Sequence, residues 1–239
     1  SIPYRTSKYT DLIVKPHRPS KDITMNVYLT VIDTMADWEI GYLTAELHSR
    51  RFFRDPATAC NLVKLGVTLD AVHSMGGIRY VPDLTVDTVQ LQEDDLLLLP
   101  GGDVWQMPVV RPFLTLARDA LDQGHNVAAI CGATVGLAST GALDRRRHTS
   151  NDLGSLQAAC PAYTGQSHYR PKPAVRGDNL ITASGLAPLE FSYEVLKMLK
   201  VWRPATATAW YRLHKTRQAC WYDELVASMS PEAEGPVPG

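Results

Sequence analysis

The sequence predicts an α/β protein whose mostly parallel central sheet is covered by helices on both faces. First, short and almost wholly apolar runs alternate with segments whose apolar residues recur at helical spacing. Second, the strand candidates lack a polar face, which is typical of parallel strands buried on both sides. Third, an apolar run at residues 126–130 stops at a cysteine and continues as small helix-forming residues. In such sheets ligands gather at the carboxyl ends of the strands.

The first half of the pattern begins with an apolar strand at residues 25–32. A helix is predicted at residues 38–51, where Ile40, Leu43 and Leu47 fall at helical spacing. A second strand is predicted at residues 69–74. After it, Gly76 and Gly77 are expected to open a hairpin-like excursion over residues 78–86.

The second half contains the central strands. Four consecutive leucines end the strand predicted at residues 95–99, and a helix is predicted at residues 111–123, where Gly124 is a favourable terminator. Pro188 suits the first turn of a helix that continues to residue 198. The remaining elements are strands at residues 126–130 and 180–182 and a final helix at residues 203–219.

Length and composition favour one α/β domain at residues 25–229. Residues 1–24 lack periodicity, so we expect a flexible extension or leader, with Met25 as a candidate natural start. Residues 230–239 are rich in Pro, Gly and Glu, and we expect a disordered tail. The net charge of −1 gives no basis for a nucleic-acid or membrane partner. The four cysteines form no CxxC pair, so we expect no metal, no cofactor and a cytoplasmic location.

Cys131 is the best candidate for a reactive group. A sharp strand-to-helix turn requires small neighbours, and Gly132 and Ala133 follow the cysteine. The amino end of the following helix favours a thiolate, which predicts a lowered pKa for this thiol. The alternative is an inert core cysteine after a buried strand. The small residues that follow favour the reactive interpretation.

Two further features converge on the same sheet edge. Glu39 follows the first strand by a short loop, so its carboxyl group can face Cys131 and, when protonated, donate a hydrogen bond or a proton to it. The alternative is a charge that complements a helix amino end. Gly101 and Gly102 follow a central strand, and the backbone N–H groups of Gly102 and Gly132 could bind an oxyanion. The alternative is a simple tight turn.

The ordered motifs resemble the DJ-1/PfpI superfamily, and within it the bacterial protease, amidase or glutamine amidotransferase-like branch. They lie at residues 36–39, 99–102, 128–133, 180–185 and 188–191. The resemblance covers residues 25–199. It implies a flavodoxin-like three-layer sandwich with a nucleophile elbow, a reactive Cys131, a carboxyl partner at Glu39, oxyanion contacts at Gly102 and Gly132, and a homodimer.

The sequence departs from this family at the positions that would supply a base. The family's proteases have a histidine directly after the cysteine, where this chain has Gly132, and no histidine belongs to a His-x-Glu pair as in glutamine amidotransferases. Some members place a histidine after a Thr-Thr pair, and alignment of residues 149–150 with that pair assigns Asn151 to the position. His148 is a candidate base or a surface histidine.

Two tryptophans complete the candidate list. Trp38 and Trp105 are candidates for the walls of a pocket above Cys131, or for core positions.

These residues favour two function classes. One is a cysteine-dependent hydrolase or lyase that acts on a small carbonyl or amide-like molecule, with Glu39 or His148 moving the proton. Protease and glutaminase activity is not expected. The other is a stress protein that senses oxidants by oxidation of Cys131. The expected partners are therefore a small-molecule substrate or an oxidant.

Overall fold

The computed structural model describes residues 24–230, which form a seven-stranded sheet flanked by helices and one small hairpin. The order across the sheet is β5-β2-β1-β6-β7-β9-β8, and every pairing in it is parallel except that of β8 with β9. The strands are β1 (Thr24–Thr30), β2 (Ala59–Gly66), β3 (Val72–His73), β4 (Arg79–Tyr80), β5 (Leu84–Thr85), β6 (Leu96–Leu99), β7 (Asn126–Ile130), β8 (Ala174–Gly177) and β9 (Leu180–Ala183). Strands β3 and β4 form the separate hairpin.

Helices cover the sheet in two groups. Helices α1, α5 and α6 pack in sequence against one another, and α2, α3 and α4 do the same. The helices are α1 (Asp37–Ser49), α2 (Arg111–Asp122), α3 (Gly132–Ser139), α4 (Leu153–Ala159), α5 (Pro188–Leu199), α6 (Pro204–Thr216) and α7 (Cys220–Ala227). This arrangement confirms the predicted α/β sandwich.

The central strands are apolar because both of their faces are covered. All four leucines of β6 are fully buried, and β6 lies between β1 and β7 in parallel register. The carboxyl ends of β1, β6 and β7 therefore meet at one edge of the sheet. The loops that carry Glu39, Gly102 and Cys131 leave from this edge, which brings the predicted site residues together.

The second strand was predicted in the wrong place. Strand β2 spans Ala59–Gly66, whereas the predicted strand at residues 69–74 contains only the short β3 of the hairpin. Asn61 and Lys64 interrupt the apolar pattern of β2, and the Lys64 side chain instead pairs with Asp83. A strand near the sheet edge can carry such polar residues, so periodicity alone missed it.

The carboxyl-terminal segment also differs from its prediction. The single helix expected at residues 203–219 is two helices, α6 and α7, because Arg217 adopts a left-handed conformation with φ 58° and ends the first. The extension predicted at residues 1–24 lies outside the described residues apart from Thr24, as does the tail apart from Ser230. Within residues 24–230, none of the helices is long and apolar enough to cross a membrane.

Candidate active site

Cys131 occupies the strained turn that the sequence predicts between β7 and α3. Its backbone has φ 58° and ψ −124°, an unfavourable conformation for a residue with a side chain. The turn is fixed on both sides: the Cys131 N–H donates to Ala183 O at 3.0 Å, and the Thr134 hydroxyl donates to Cys131 O at 2.6 Å. The side chain is half-buried at the carboxyl edge of the sheet. This is the backbone geometry of a nucleophile elbow, with a sulfur atom at the position that a nucleophile occupies in such turns.

Glu39 is the buried carboxyl partner of this sulfur. It lies in the first turn of α1, is fully buried, and its Oε2 accepts a hydrogen bond from Gly101 N–H at 2.6 Å. The carboxyl group lies beside the Cys131 thiol, since both line the space next to Gly185. Its buried Oε1 has no hydrogen-bond partner among the described residues. Burial raises the pKa of Glu39 and outweighs the Gly101 N–H and the Cys131 thiol, which lower it.

Asn151 contacts the sulfur from another direction. Its Nδ2 donates to Cys131 Sγ at 3.4 Å, and its Oδ1 accepts from Gly185 N–H at 2.8 Å. The second hydrogen bond fixes the orientation of the amide and aims its donor at the sulfur. Asn151, which the motif alignment assigned to the family's histidine position, is therefore a direct sulfur contact. An amide donates a hydrogen bond here but cannot serve as a base.

The Cys131 pKa differs from the expectation for a helix amino end alone. Burial raises it, and the neighbouring Glu39 carboxyl group raises it further. The Asn151 amide and the Gly132 N–H lower it. The expected lowering is therefore outweighed by the cost of a buried anion beside a carboxyl group. Both groups therefore resist ionisation, and a charge on one disfavours a charge on the other.

Two glycines make room for the Cys131 and Glu39 side chains because a glycine has no Cβ. A Cβ on Gly185 would lie 2.8 Å from Cys131 Sγ and 2.9 Å from Glu39 Oε1. A Cβ on Gly101 would lie 2.8 Å from Glu39 Oε1 and 2.7 Å from Cys131 Cβ. In the sequence Gly185 is recognisable only as part of a motif, because its role depends on contacts between distant segments.

The proposed oxyanion residues lie against each other. A Cβ on Gly132 would be 2.6 Å from Gly102 O and 3.5 Å from Gly102 N. Both residues are half-buried, so their backbones are accessible from the same edge as Cys131. The Gly132 N–H also lowers the pKa of the Cys131 thiol. These positions can supply backbone donors beside a group that reacts with sulfur.

His148 does not reach the sulfur. Its Nδ1 is 2.6 Å from Arg146 O and its Nε2 is 2.6 Å from the Tyr163 hydroxyl, so both ring nitrogens are engaged. The ring is fully buried, and burial lowers its pKa. The expectation that His148 serves as a base at Cys131 is therefore corrected: it is a neutral core histidine that holds the segment before Asn151.

The two tryptophans have different environments. Trp105 is 2% exposed, and its Nε1 donates to Pro100 O at 2.7 Å, so it fastens the loop after β6 from within the core. Of the two alternatives predicted for Trp105, the structure has the core position rather than the pocket wall. Trp38 is 56% exposed at the start of α1, next to Glu39 in sequence, and is available to a ligand.

A cleft of about 560 Å³ begins beside the sulfur contact. Its lining includes Asn151 and, around it, Ser150, Tyr169, Lys172 and Ser184. Asn151 therefore lies between the Cys131 sulfur and this space. Within residues 24–230 there is no cluster of three or more His, Cys, Asp or Glu side chains able to hold a metal ion.

The sequence and the fold match known proteins. The model of the DJ-1/PfpI family matches residues 25–198, and the chain belongs to that family. A Bacillus subtilis (strain 168) protein named uncharacterized protease YoaZ is 46% identical over 207 residues, which cover 87% of this chain and 99% of that protein. The Bacillus anthracis thiJ/pfpI family protein has a TM-score of 0.84 and 42% identity, covering 87% of this chain and 99% of that one. The DJ-1 superfamily protein Atu0886 from Agrobacterium tumefaciens has a TM-score of 0.70 and 31% identity, covering 81% and 98%.

Proposed function

We propose that the protein is a cysteine-dependent hydrolase or lyase that acts on a small carbonyl or amide-like substrate through Cys131. The observation that carries the proposal is the contact of one half-buried sulfur with both a buried carboxyl group and an amide donor. A thiol and a carboxyl group that share one proton provide a nucleophile and an acid without a histidine.

The amide reaction illustrates the sequence of steps. Sulfur attacks the carbonyl carbon, the thiol proton passes to Glu39, and the carbonyl electron pair moves to oxygen beside the N–H groups of Gly102 and Gly132. Protonated Glu39 then gives its proton to the leaving nitrogen as the C–N bond breaks, which leaves a thioester. Water attacks the thioester while the Glu39 carboxylate takes the water's proton. The acid departs, and Cys131 and Glu39 again hold one proton.

The enclosed site favours small substrates. Gly185 and Gly101 lie so close to Sγ and the carboxyl group that even a methyl group on either would collide with them. The absence of a histidine beside Cys131 argues against efficient cleavage of peptides or glutamine. The word protease in the name of the Bacillus subtilis relative therefore suggests an amide-type reaction, but not a protein substrate.

The experiment compares Cys131→Ser with Cys220→Ser on a panel of small amides, thioesters and aldehydes. Cys220 is an exposed thiol outside the site, which makes it the matched control. We expect Cys131→Ser to abolish turnover without lowering the melting temperature and Cys220→Ser to leave both unchanged. Equal activity of wild type and Cys131→Ser would refute the proposal. Cleavage of casein or glutamine that is lost in Cys131→Ser would instead restore a protease or amidotransferase function.

A second candidate is an oxidant sensor, favoured by the donors around the sulfur. The Asn151 amide and the Gly132 N–H can stabilise a sulfinate as well as a thiolate. In that case the wild type turns over no member of the panel, while low peroxide oxidises Cys131 before the other cysteines. Mass spectrometry of the intact chain and its melting temperature after peroxide treatment distinguish the two functions.

A further inference from the structure

A second cavity lies at the same edge of the sheet, on the side of β1 and β2. Its volume is about 200 Å³, and most of its wall is aliphatic or aromatic. The apolar lining includes Ile32, Val67, Val72, Val104 and Phe113. An apolar cavity of about 150 Å³ is large enough to hold a benzene molecule. This space therefore accommodates a single ring with a short substituent.

The polar part of the lining is acidic. Asp33 and Asp70, both exposed, line the cavity together with Thr68, whereas Lys, Arg and His are missing from the lining. Each carboxylate accepts a hydrogen bond from an uncharged donor: Asp33 Oδ1 from the backbone N–H of His73 at 2.9 Å, and Asp70 Oδ2 from the Thr68 hydroxyl at 3.0 Å. Among the described residues, neither carboxylate takes part in an ion pair. Two uncompensated negative charges therefore flank an apolar cavity.

The position of the cavity in the fold is one where ligands bind. Strand β1 is followed by β2 on one side of the sheet, and β6 is followed by β7 on the other, so the loops after β1 and β6 diverge. Such a divergence opens a crevice at the carboxyl ends of parallel strands. The cavity is lined from the loop after β1, from the end of β2 and from the segment after β6.

The loop beside the cavity is also strained. Thr34, which follows Asp33, has φ 63°, a conformation that is rare for a β-branched residue. It is held there because its N–H donates to His73 O at 2.8 Å and its hydroxyl accepts from Asp103 N–H at 2.8 Å. Strained backbone of this kind concentrates at functional sites. These bonds fix the Asp33 carboxylate at the cavity.

We propose that this cavity binds a small amphipathic amine, with the apolar group among the aliphatic side chains and the ammonium group beside Asp33 and Asp70. The size and apolar wall select the body of the ligand, and the two carboxylates select its charge. The cavity is distinct from the site around Cys131, but Ile32 contacts both. It lines the cavity, and its Cδ1 lies 2.9 Å from the position that a Cβ on Gly102 would occupy.

The test uses the full chain and three probes of similar size: benzylammonium, benzyl alcohol and benzoate. Amide chemical shifts in ¹H–¹⁵N spectra report binding at the residues of the cavity. We expect benzylammonium to bind more tightly than benzyl alcohol, and benzoate to bind least. Asp33→Asn combined with Asp70→Asn keeps the acceptor oxygens and removes both charges. It should weaken benzylammonium by about threefold to tenfold without affecting benzyl alcohol.

Asp178→Asn is the matched control, because it removes an exposed carboxylate at the turn before β9, at the opposite edge of the sheet. It should leave all three affinities unchanged. Ala71→Phe, which fills the cavity, should abolish binding of every probe; if it does not fold, the charge variants still decide. Equal affinities for the three probes, or shifts outside the cavity only, would overturn the proposal. Shifts of the cavity residues on dilution without ligand would also overturn it, by showing that a second copy of the chain covers this surface.

Discussion

Replacement of Gly185 by alanine tests how closely the chain encloses the reactive sulfur. The new Cβ would lie 2.8 Å from Cys131 Sγ and 2.9 Å from Glu39 Oε1, whereas unstrained contacts begin near 3.5 Å. The groups must therefore separate by about 0.7 Å. Overpacking of this kind costs about 1–3 kcal/mol of unfolding free energy. For a chain of this size, the melting temperature should fall by about 2–12 °C.

The same substitution should also affect reactivity. Displacement of Sγ from Glu39 disturbs the shared proton, and a misplacement approaching 1 Å can slow a reaction by about a hundredfold. We expect turnover, or alkylation of Cys131 by iodoacetamide at fixed pH, to slow by at least about tenfold. Thermal unfolding and labelling followed by mass spectrometry measure the two effects on the same sample.

Gly41→Ala is the control for this experiment. Gly41 lies in α1 two residues after Glu39, and a Cβ there would meet no atom within 4 Å. Alanine in a helix interior is favoured over glycine by about 0.5–1 kcal/mol, so this variant should be more stable than the wild type. If Gly185→Ala matched Gly41→Ala in stability and in labelling rate, the close packing around the sulfur would be refuted.

The remaining predictions concern ionisation around the sulfur. Burial raises the pKa of Glu39 in the folded chain, so the stability that its protonation contributes is complete below about pH 4.3 and is lost as pH rises through the folded pKa. We therefore expect the free energy of unfolding of Glu39→Gln to increase relative to that of the wild type between pH 4 and 9, as measured by denaturant unfolding. Equal pH dependence of the two proteins would contradict this. Asn151→Asp adds a carboxylate beside the sulfur and should raise the Cys131 pKa further, which slows alkylation of Cys131 at neutral pH. Asn151→Ala lacks that charge and should slow alkylation less. An alkylation rate of Asn151→Asp equal to or faster than that of Asn151→Ala would contradict this. Cys60 and Cys160 are buried whereas Cys131 is half-buried, and burial also raises the pKa of Cys60 to about 11. Iodoacetamide should therefore label both after Cys131, and earlier labelling of either would contradict the assignment of the reactive thiol.

Sequence patterns predicted the parts of the site that depend on local structure. The apolar run before Cys131 and the small residues after it define a strand, a turn and a helix, and the structure has all three. Glu39 was predictable because it lies one short loop after a buried strand. Parallel strands bring such positions to a common edge, so a one-dimensional pattern was enough.

The parts that depend on distant side chains were not predictable in the same way. His148 resembled a candidate base until its contacts with Arg146 O and the Tyr163 hydroxyl were known, and nothing in the local sequence indicates those partners. Asn151 was indicated only by a motif alignment, since its value lies in the hydrogen bond from Gly185 that orients it. Long-range hydrogen bonds, rather than periodicity, decide which polar residue faces the sulfur.

The contact between Gly132 and the carbonyl group of Gly102 has an evolutionary consequence. A histidine directly after the cysteine would need a Cβ only 2.6 Å from that oxygen, and Trp105 lies behind it at 3.3 Å. A single substitution therefore cannot place a histidine at this position, because the loop after β6 must first move away from the elbow. Gly132 thus restricts how the elbow can evolve: any residue with a side chain after Cys131 requires a coordinated change in the loop that carries Gly102.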